Sequence, residues 1–133
     1  MKKKIIITGG LGYIGSQLCK LYSGVSWNNQ IIVIDNRFIS ERINQLRNWN
    51  MEFVHGDILD KELIKKYCQD ADVIHHLAGI TDVPRTQSES NIENDKKIKL
   101  VAEEGTQNIL DAISNKCKII FPSTHVVYEG INE

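Results

Sequence analysis

Residues 5–15 read Ile5-Ile6-Ile7-Thr8-Gly9-Gly10-Leu11-Gly12-Tyr13-Ile14-Gly15. Three consecutive isoleucines suit a short strand buried on both faces. A glycine cluster follows at once, and after it an amphipathic run, Tyr13 to Leu21, reads as a helix. Strand, glycine turn and helix start together make a phosphate-binding corner. The first glycines allow the tight turn, Gly12 lets backbone approach a pyrophosphate without a Cβ in the way, and Gly15 lets the helix pack close to the strand. The free N–H groups and positive dipole end of that helix then face the phosphates.

The cluster satisfies two registers. Gly10, Gly12 and Gly15 fit G-x-G-x-x-G, while Gly9, Gly12 and Gly15 fit G-x-x-G-x-x-G with Thr8 in front. The same glycines could serve close packing alone. The chain continues, however, with a second apolar run, Ile31-Ile32-Val33-Ile34, that ends at Asp35, 20 residues past Gly15. That is the position for an acid that hydrogen-bonds the hydroxyls of an adenosine ribose. A carboxylate there accepts from both hydroxyls and repels a 2′-phosphate, which favours NAD over NADP. Arg37 is the counter-argument, because a guanidinium could hold that phosphate.

Apolar runs alternate with helical patterns along the rest of the chain. Strands are expected at about Lys4–Thr8, Gln30–Asp35, Met51–His55, Asp72–Leu77 and Lys118–Phe121. Helices are expected at about Tyr13–Ser23, Glu41–Arg47, Lys61–Cys68 and Asn91–Ser114. Gly24 is expected to stop the first helix and Asp60 to cap the third. Ser90 and Glu93 match a capping box at the head of the fourth. Regular β-α alternation argues a parallel, doubly wound α/β sheet with strand order 3-2-1-4-5 and helices on both faces. Its switch point lies between the first and fourth strands, and ligands bind beyond their carboxyl ends.

Length and charge narrow the classes. At 133 residues the chain is one domain, 1–133, large enough for its own core. A net charge of −1 leaves no electrostatic footprint for nucleic acid or a membrane surface. The basic start Met1-Lys2-Lys3-Lys4 precedes only three isoleucines, too few for a secretory signal, and no run approaches transmembrane length. Cys19, Cys68 and Cys117 are odd in number and widely spaced, which fits reduced thiols and a cytoplasmic location. His75 and His76 are adjacent in a strand and must point to opposite faces. No His or Cys spacing suits zinc, so no metal site is expected.

The motif TGGLGYIG followed by Asp35-Asn36 resembles the extended short-chain dehydrogenase/reductase family, in its branch of NAD-dependent nucleotide-sugar epimerases and dehydratases. The resemblance covers nearly the whole chain but only the N-terminal part of such an enzyme. It implies a Rossmann-type fold and NAD as cofactor. Gly9, Gly12, Tyr13, Ile14 and Gly15 would then meet the dinucleotide, with Asp35 and Asn36 at its ribose. His55-Gly56-Asp57-Ile58 is similar to the family's Gly-Asp-hydrophobic unit, which implies Asp57 near the adenine amino group and Ile58 beside the ring. Read by itself, Asp57 could equally begin a turn. His76-Leu77-Ala78-Gly79 resembles H-x-A-[AG], which implies that the backbone of Leu77, Ala78 and Gly79 lines the dinucleotide. Gly105-Thr106-Gln107-Asn108-Ile109-Leu110 resembles G-T-x-N-L/I-L, where a mid-helix glycine marks close packing. Ala102 stands where many relatives carry a cofactor-contacting Asn.

Phe121-Pro122-Ser123-Thr124-His125-Val126-Val127-Tyr128 resembles the family's S-S/T-x-x-V-Y-G strand end, with Glu129 in place of the glycine. The resemblance puts Thr124, or its neighbour Ser123, at the reacting substrate oxygen. Alternatively, the hydroxyls satisfy local backbone groups. The base of this chemistry is a Tyr with a Lys four residues later, since a phenol needs a nearby cation to work near neutral pH. Tyr13, Tyr22, Tyr67 and Tyr128 are followed at that spacing by Gln17, Ser26, Ala71 and Asn132. The chain therefore reads either as the truncated N-terminal part of an epimerase or dehydratase, inactive alone, or as a non-catalytic NAD-binding module. The resemblance implies that the C-terminal substrate region lies outside these residues and that the nucleotide-sugar substrate belongs to the full-length parent. The outer edge of the fifth strand is then open and apolar, and self-association through it is expected.

Overall fold

In a computed structural model, which describes residues 2–80 and 92–123, the isoleucine run forms β1 (Lys4–Thr8) at the centre of a five-stranded sheet. The other strands are β2 (Gln30–Asp35), β3 (Glu52–His55), β4 (Val73–His76) and β5 (Lys118–Ile120). All pairings are parallel and the order is β3-β2-β1-β4-β5. Helices α1 (Tyr13–Tyr22), α2 (Ser40–Asn48), α3 (Lys61–Cys68) and α4 (Ile92–Ala112) make the crossovers. Expected and observed boundaries differ by a residue or two. The Ser90–Glu93 capping box falls partly outside the described residues.

The alternation of side chains along each strand sorts the core into two layers. Ile5, Ile7, Ile31 and Val33 face one side, where they pack with Cys19 of α1 and with Ile43 and Leu46 of α2. Ile6, Ile32, Ile34 and Ile74 face the other, against Ile64 and Cys68 of α3 and Ile109 of α4. In-register pairing puts Ile5 beside Ile31 and Ile6 beside both Ile32 and Ile74. Each fully buried aliphatic side chain contributes roughly 1.5–3 kcal/mol. A sheet covered on both faces is why these strands read as unbroken apolar runs rather than alternating ones.

The helix ends hold one confirmation, one correction and one stop signal that local reading passed over. Asp60 caps α3, its side chain accepting from the Leu63 N–H at 3.1 Å. Gly24 does not act as a left-handed stop. Helix α1 ends at Tyr22, Ser23 keeps right-handed helical angles (φ −58°, ψ −27°), and the chain tightens into a 3₁₀ turn, Ser23–Val25. The left-handed cap occurs instead at Asn50 (φ 59°), after α2. There Met51 N–H donates to Leu46 O at 2.9 Å and Asn50 N–H to Arg47 O at 3.0 Å, the paired bonds of a Schellman motif. Met51 and Leu46 also share the core layer, the apolar contact that accompanies this stop.

β5 differs from the inner strands. Among the described residues it pairs only with β4, through Ile74 and Ile119 and their neighbours. Ile119 packs into the layer under α4, whereas Ile120 is 39% and Phe121 59% exposed.

Candidate functional site

The strand order reverses between β1, which leads towards β2, and β4, which leads towards β5. At their carboxyl ends the glycine turn and the segment after β4 come together. Gly9 has φ +70°, and a Cβ there would lie 2.7 Å from the backbone N of Ala78. Both facts require glycine. Gly9 N–H donates to Ile34 O at 2.8 Å, and Gly9 O accepts from Gly12 N–H at 3.1 Å. A Cβ on Gly15 would drive into the Gly9 carbonyl and Gly10, so this glycine lets α1 sit directly on the turn. Gly12 is the α1 N-cap, without a side-chain cap, and no acid stands in the first turn. The helix thus presents uncapped N–H groups and its positive dipole end to whatever lies in front of it. Tyr13 (89% exposed) and Ile14 stand out from the same turn.

Asp35 closes the other side of the turn. Its Oδ2 accepts from Leu11 N–H at 3.0 Å, and its Oδ1 accepts from Arg37 N–H at 2.9 Å and pairs with Arg37 Nε at 3.4 Å. The acid therefore holds the glycine turn in place as well as standing where a ribose acceptor was expected. Asn36 is exposed, and its carbonyl is hydrogen-bonded to His55 Nε2 at 2.9 Å. The Arg42 guanidinium donates to the Leu11 carbonyl, a second basic contact on the turn. Phe38, Phe53 and His55 group their rings beside this end, Phe38 lying 5.8 Å from His55 between centroids. The motif reading did not single out Arg42 or these aromatics. The only available signal was a basic and aromatic composition just after the acid.

Beneath the turn runs a buried polar chain. Thr8 Oγ1 accepts from Leu77 N–H and Ala78 N–H, each at 3.1 Å, which uses both its lone pairs. Its own proton then goes to His76 Nδ1, 2.8 Å away. With Nδ1 an acceptor, the neutral ring carries its proton on Nε2 and donates it to Thr106 Oγ1 at 3.1 Å. Burial pushes the His76 pKa below its ordinary value, in keeping with a neutral ring. His75 faces the other layer, as expected of adjacent strand residues, where its Nε2 meets the Tyr22 hydroxyl at 2.7 Å. Burial lowers its pKa too and raises that of Tyr22.

This arrangement gives the Gly105–Leu110 motif a physical meaning. A Cβ on Gly105 would collide with the Ile58 side chain, so the glycine lets α4 lie against the loop after β3. Thr106 holds His76, Asn108 Nδ2 donates to Ile58 O at 3.0 Å, and Ile109 is core. Ala102 is exposed. Asp57 is exposed, and its Oδ1 accepts from Leu59 N–H at 2.9 Å, the turn-starting role. Ile58 is buried against Gly105 and faces the core layer. The Asp57 carboxylate thus starts the turn while remaining exposed, and the Ile58 side chain packs against α4. Gly79 has open space on its Cβ side, and Ala78 is half-buried. Ser123 is exposed beyond β5. The loop 81–90 and Thr124 lie outside the described residues.

Around this corner the residues suit a dinucleotide: a bare turn, an uncapped helix start, an acid and two guanidinium groups. Among the described residues no three His, Cys, Asp or Glu side chains gather as metal ligands, and no helix is long and apolar enough to cross a membrane. An open hollow of about 350 Å³ lies at the opposite end of the sheet, between Lys2, Gln30, Arg47 and Glu52, remote from the glycine turn.

Comparisons with known proteins point the same way. The UDP-N-acetyl-alpha-D-glucosaminuronate decarboxylase of Bacillus cytotoxicus is 34% identical over 132 residues, 96% of this chain and 38% of that protein. The CDP-paratose 2-epimerase of Salmonella typhi is 36% identical over 141 residues, 98% of this chain and 39% of that protein. A solved structure, the dTDP-glucose 4,6-dehydratase of Streptomyces venezuelae with NAD bound, matches with a TM-score of 0.67 and 26% identity. That match covers 82% of this chain and 35% of the other. The chain thus spans under two-fifths of the length of these relatives. The model of the 3-beta hydroxysteroid dehydrogenase/isomerase family matches residues 6–131. With the glycine corner, the strand order and that match in agreement, the chain belongs to this family, within the extended short-chain dehydrogenases/reductases and alongside the nucleotide-sugar epimerases and dehydratases.

Proposed function

We propose that this chain is the NAD-binding portion of a nucleotide-sugar epimerase or dehydratase. The observation that carries the reading is the uncapped start of α1 behind Gly9–Gly12, with Asp35 anchored beside it by Leu11 N–H. The bound nicotinamide would supply a hydride acceptor and donor for a sugar carbon. The chain's own residues bind and orient it. Helix α1 and the turn amides meet the diphosphate, Asp35 and Asn36 meet the ribose, and the backbone of Leu77, Ala78 and Gly79 lines the path towards β5. Asp57 stands near the adenine amino group and Ile58 beside the ring. Ser123 and Thr124 stand for the hydroxyl contact to the substrate. NAD is favoured over NADP because Asp35 would repel a 2′-phosphate.

We expect the chain to self-associate through the exposed Ile120 at the end of β5 and Phe121 just beyond it. A cytoplasmic setting fits Cys19, Cys68 and Cys117 as free thiols.

Calorimetric titration with NADH is the direct test. One site per chain is expected. Asp35→Ala should weaken binding by about 10-fold or more, the loss of charge-assisted hydrogen bonds worth roughly 1.5–3 kcal/mol. Unchanged affinity in that variant, with the fold intact by circular dichroism, would remove Asp35 from the site.

A further inference from the structure

Arg37 occupies two parts of the site at once. Its Nε and backbone N–H both engage Asp35 Oδ1, while its Nη2 stands over the open side of Gly12, 3.4 Å from where a Cβ would be. Its side chain is 54% exposed, and the Asp35 side chain beneath it is only 3% exposed. The acid that should meet a ribose is therefore buried, and the guanidinium is one of the groups held against it.

Counting acceptors makes the point sharper. A carboxylate offers about four lone-pair sites. Leu11 N–H, Arg37 N–H and Arg37 Nε take three of them. A ribose diol needs two, and one remains. The backbone contacts belong to the fold of the turn, whereas the Nε contact, at 3.4 Å, is the long one and comes from a side chain that is 54% exposed. Releasing it supplies the second acceptor. A guanidinium released at Gly12 already lies beside the bare amides of the turn, where its planar fork suits phosphate oxygens.

We propose that Arg37 exchanges partners on cofactor binding: it leaves Asp35 to the ribose and takes the diphosphate over Gly12. The inference rests on the NAD-binding reading above. Arg37 is thus both the acid's partner and a clamp. A ligand with a diphosphate is admitted readily because it offers the guanidinium a better partner. A nucleoside without phosphate must break the Arg37–Asp35 pair with nothing in return. The exchange makes the site selective for nucleotides over nucleosides.

Titration calorimetry with adenosine, ADP, NAD and NADP on the wild-type protein, Arg37→Ala and Arg37→Lys separates the possibilities. Arg37→Ala should weaken ADP and NAD by about 10-fold or more, yet tighten adenosine by about threefold through the freed acid. Arg37→Lys should recover part of the ADP affinity, since charge returns without the fork. In an Asp35→Ala background the gain for adenosine should vanish. Equal loss for adenosine and ADP would reduce Arg37 to a structural role and overturn the exchange. So would unchanged ADP affinity in Arg37→Ala. A wild-type preference for NADP that disappears in Arg37→Ala would assign the guanidinium to the 2′-phosphate and overturn it as well. Failure of the wild-type protein to bind ADP and NAD at all would sink the NAD-binding reading itself, and this inference with it.

Discussion

β1 and β5 carry similar text, Ile5-Ile6-Ile7 in one and Ile119-Ile120 followed at once by Phe121 in the other, and meet opposite surroundings. β1 has a strand on either side and helices over both faces, and Ile6 and Ile7 are fully buried. β5 has one partner among the described residues and one covered face, where Ile119 sits beneath α4. An apolar run therefore specifies a strand, while the elements around it decide what that strand is worth. The largest expected effect comes from testing that difference directly. Ile6→Ala should cost about 2–5 kcal/mol in urea unfolding, the range for emptying a well-packed site. Ile120→Ala should cost under about 1 kcal/mol, because much of that side chain already faces water. Equal costs would mean that the two strands are buried alike.

β4 lies between the two and carries the sharpest polar contrast, His75 towards α1 and His76 towards α4. Burial lowers the pKa of both rings. The unfolded chain then binds more protons than the folded one as pH falls through the ordinary histidine range near 6.5. The stability held by the neutral rings is fully present above that pH and is lost as pH falls towards the depressed folded values. Urea midpoints should accordingly drop between pH 7.5 and pH 5.5, with a slope of at most about 1.4 kcal/mol per pH unit for each ring. Asp70, the carboxylate whose pKa is lowered by its Lys4 hydrogen bond, acts only below its ordinary value of 3.8 and leaves this window alone. A midpoint that stays flat or rises on acidification would show that the rings are not held neutral.

The same contrast explains what could be read from residues alone. β1, α1 and β2 were legible because their determinants are local: an apolar run, glycines a few positions apart, and an acid at the next strand end. The strand order followed from alternation. The polar chain from Thr8 through His76 to Thr106 was not legible, since its members lie 68 and 30 residues apart and nothing in their spacing pairs them. The turn-starting role of Asp57 was one of its two readings, whereas the packing of Ile58 against Gly105 joins residues 47 positions apart and was not legible. Gly24 was expected to stop α1, but the helix end tightened into a 3₁₀ turn without a left-handed residue. Asn50 served where one was needed. Arg37 could be placed beside Asp35 by sequence. Its reach to Gly12 is a property of the folded turn.

The smallest change in stability should accompany the clearest change in assembly. Ile120→Lys places a charge at the end of β5, which has one partner among the described residues, on a side chain that is 39% exposed. It should shift the urea midpoint by no more than about 0.5 kcal/mol. The same lysine opposes edge-to-edge pairing, since two such edges cannot approach without bringing like charges together and burying them. Sedimentation velocity across a concentration series should show the wild-type chain associating and the variant shifted towards monomer. Wild-type protein that remains a single monomeric species at high concentration would mean that the exposed apolar side chains at the end of β5 do not drive pairing, and that the difference between β1 and β5 ends at burial.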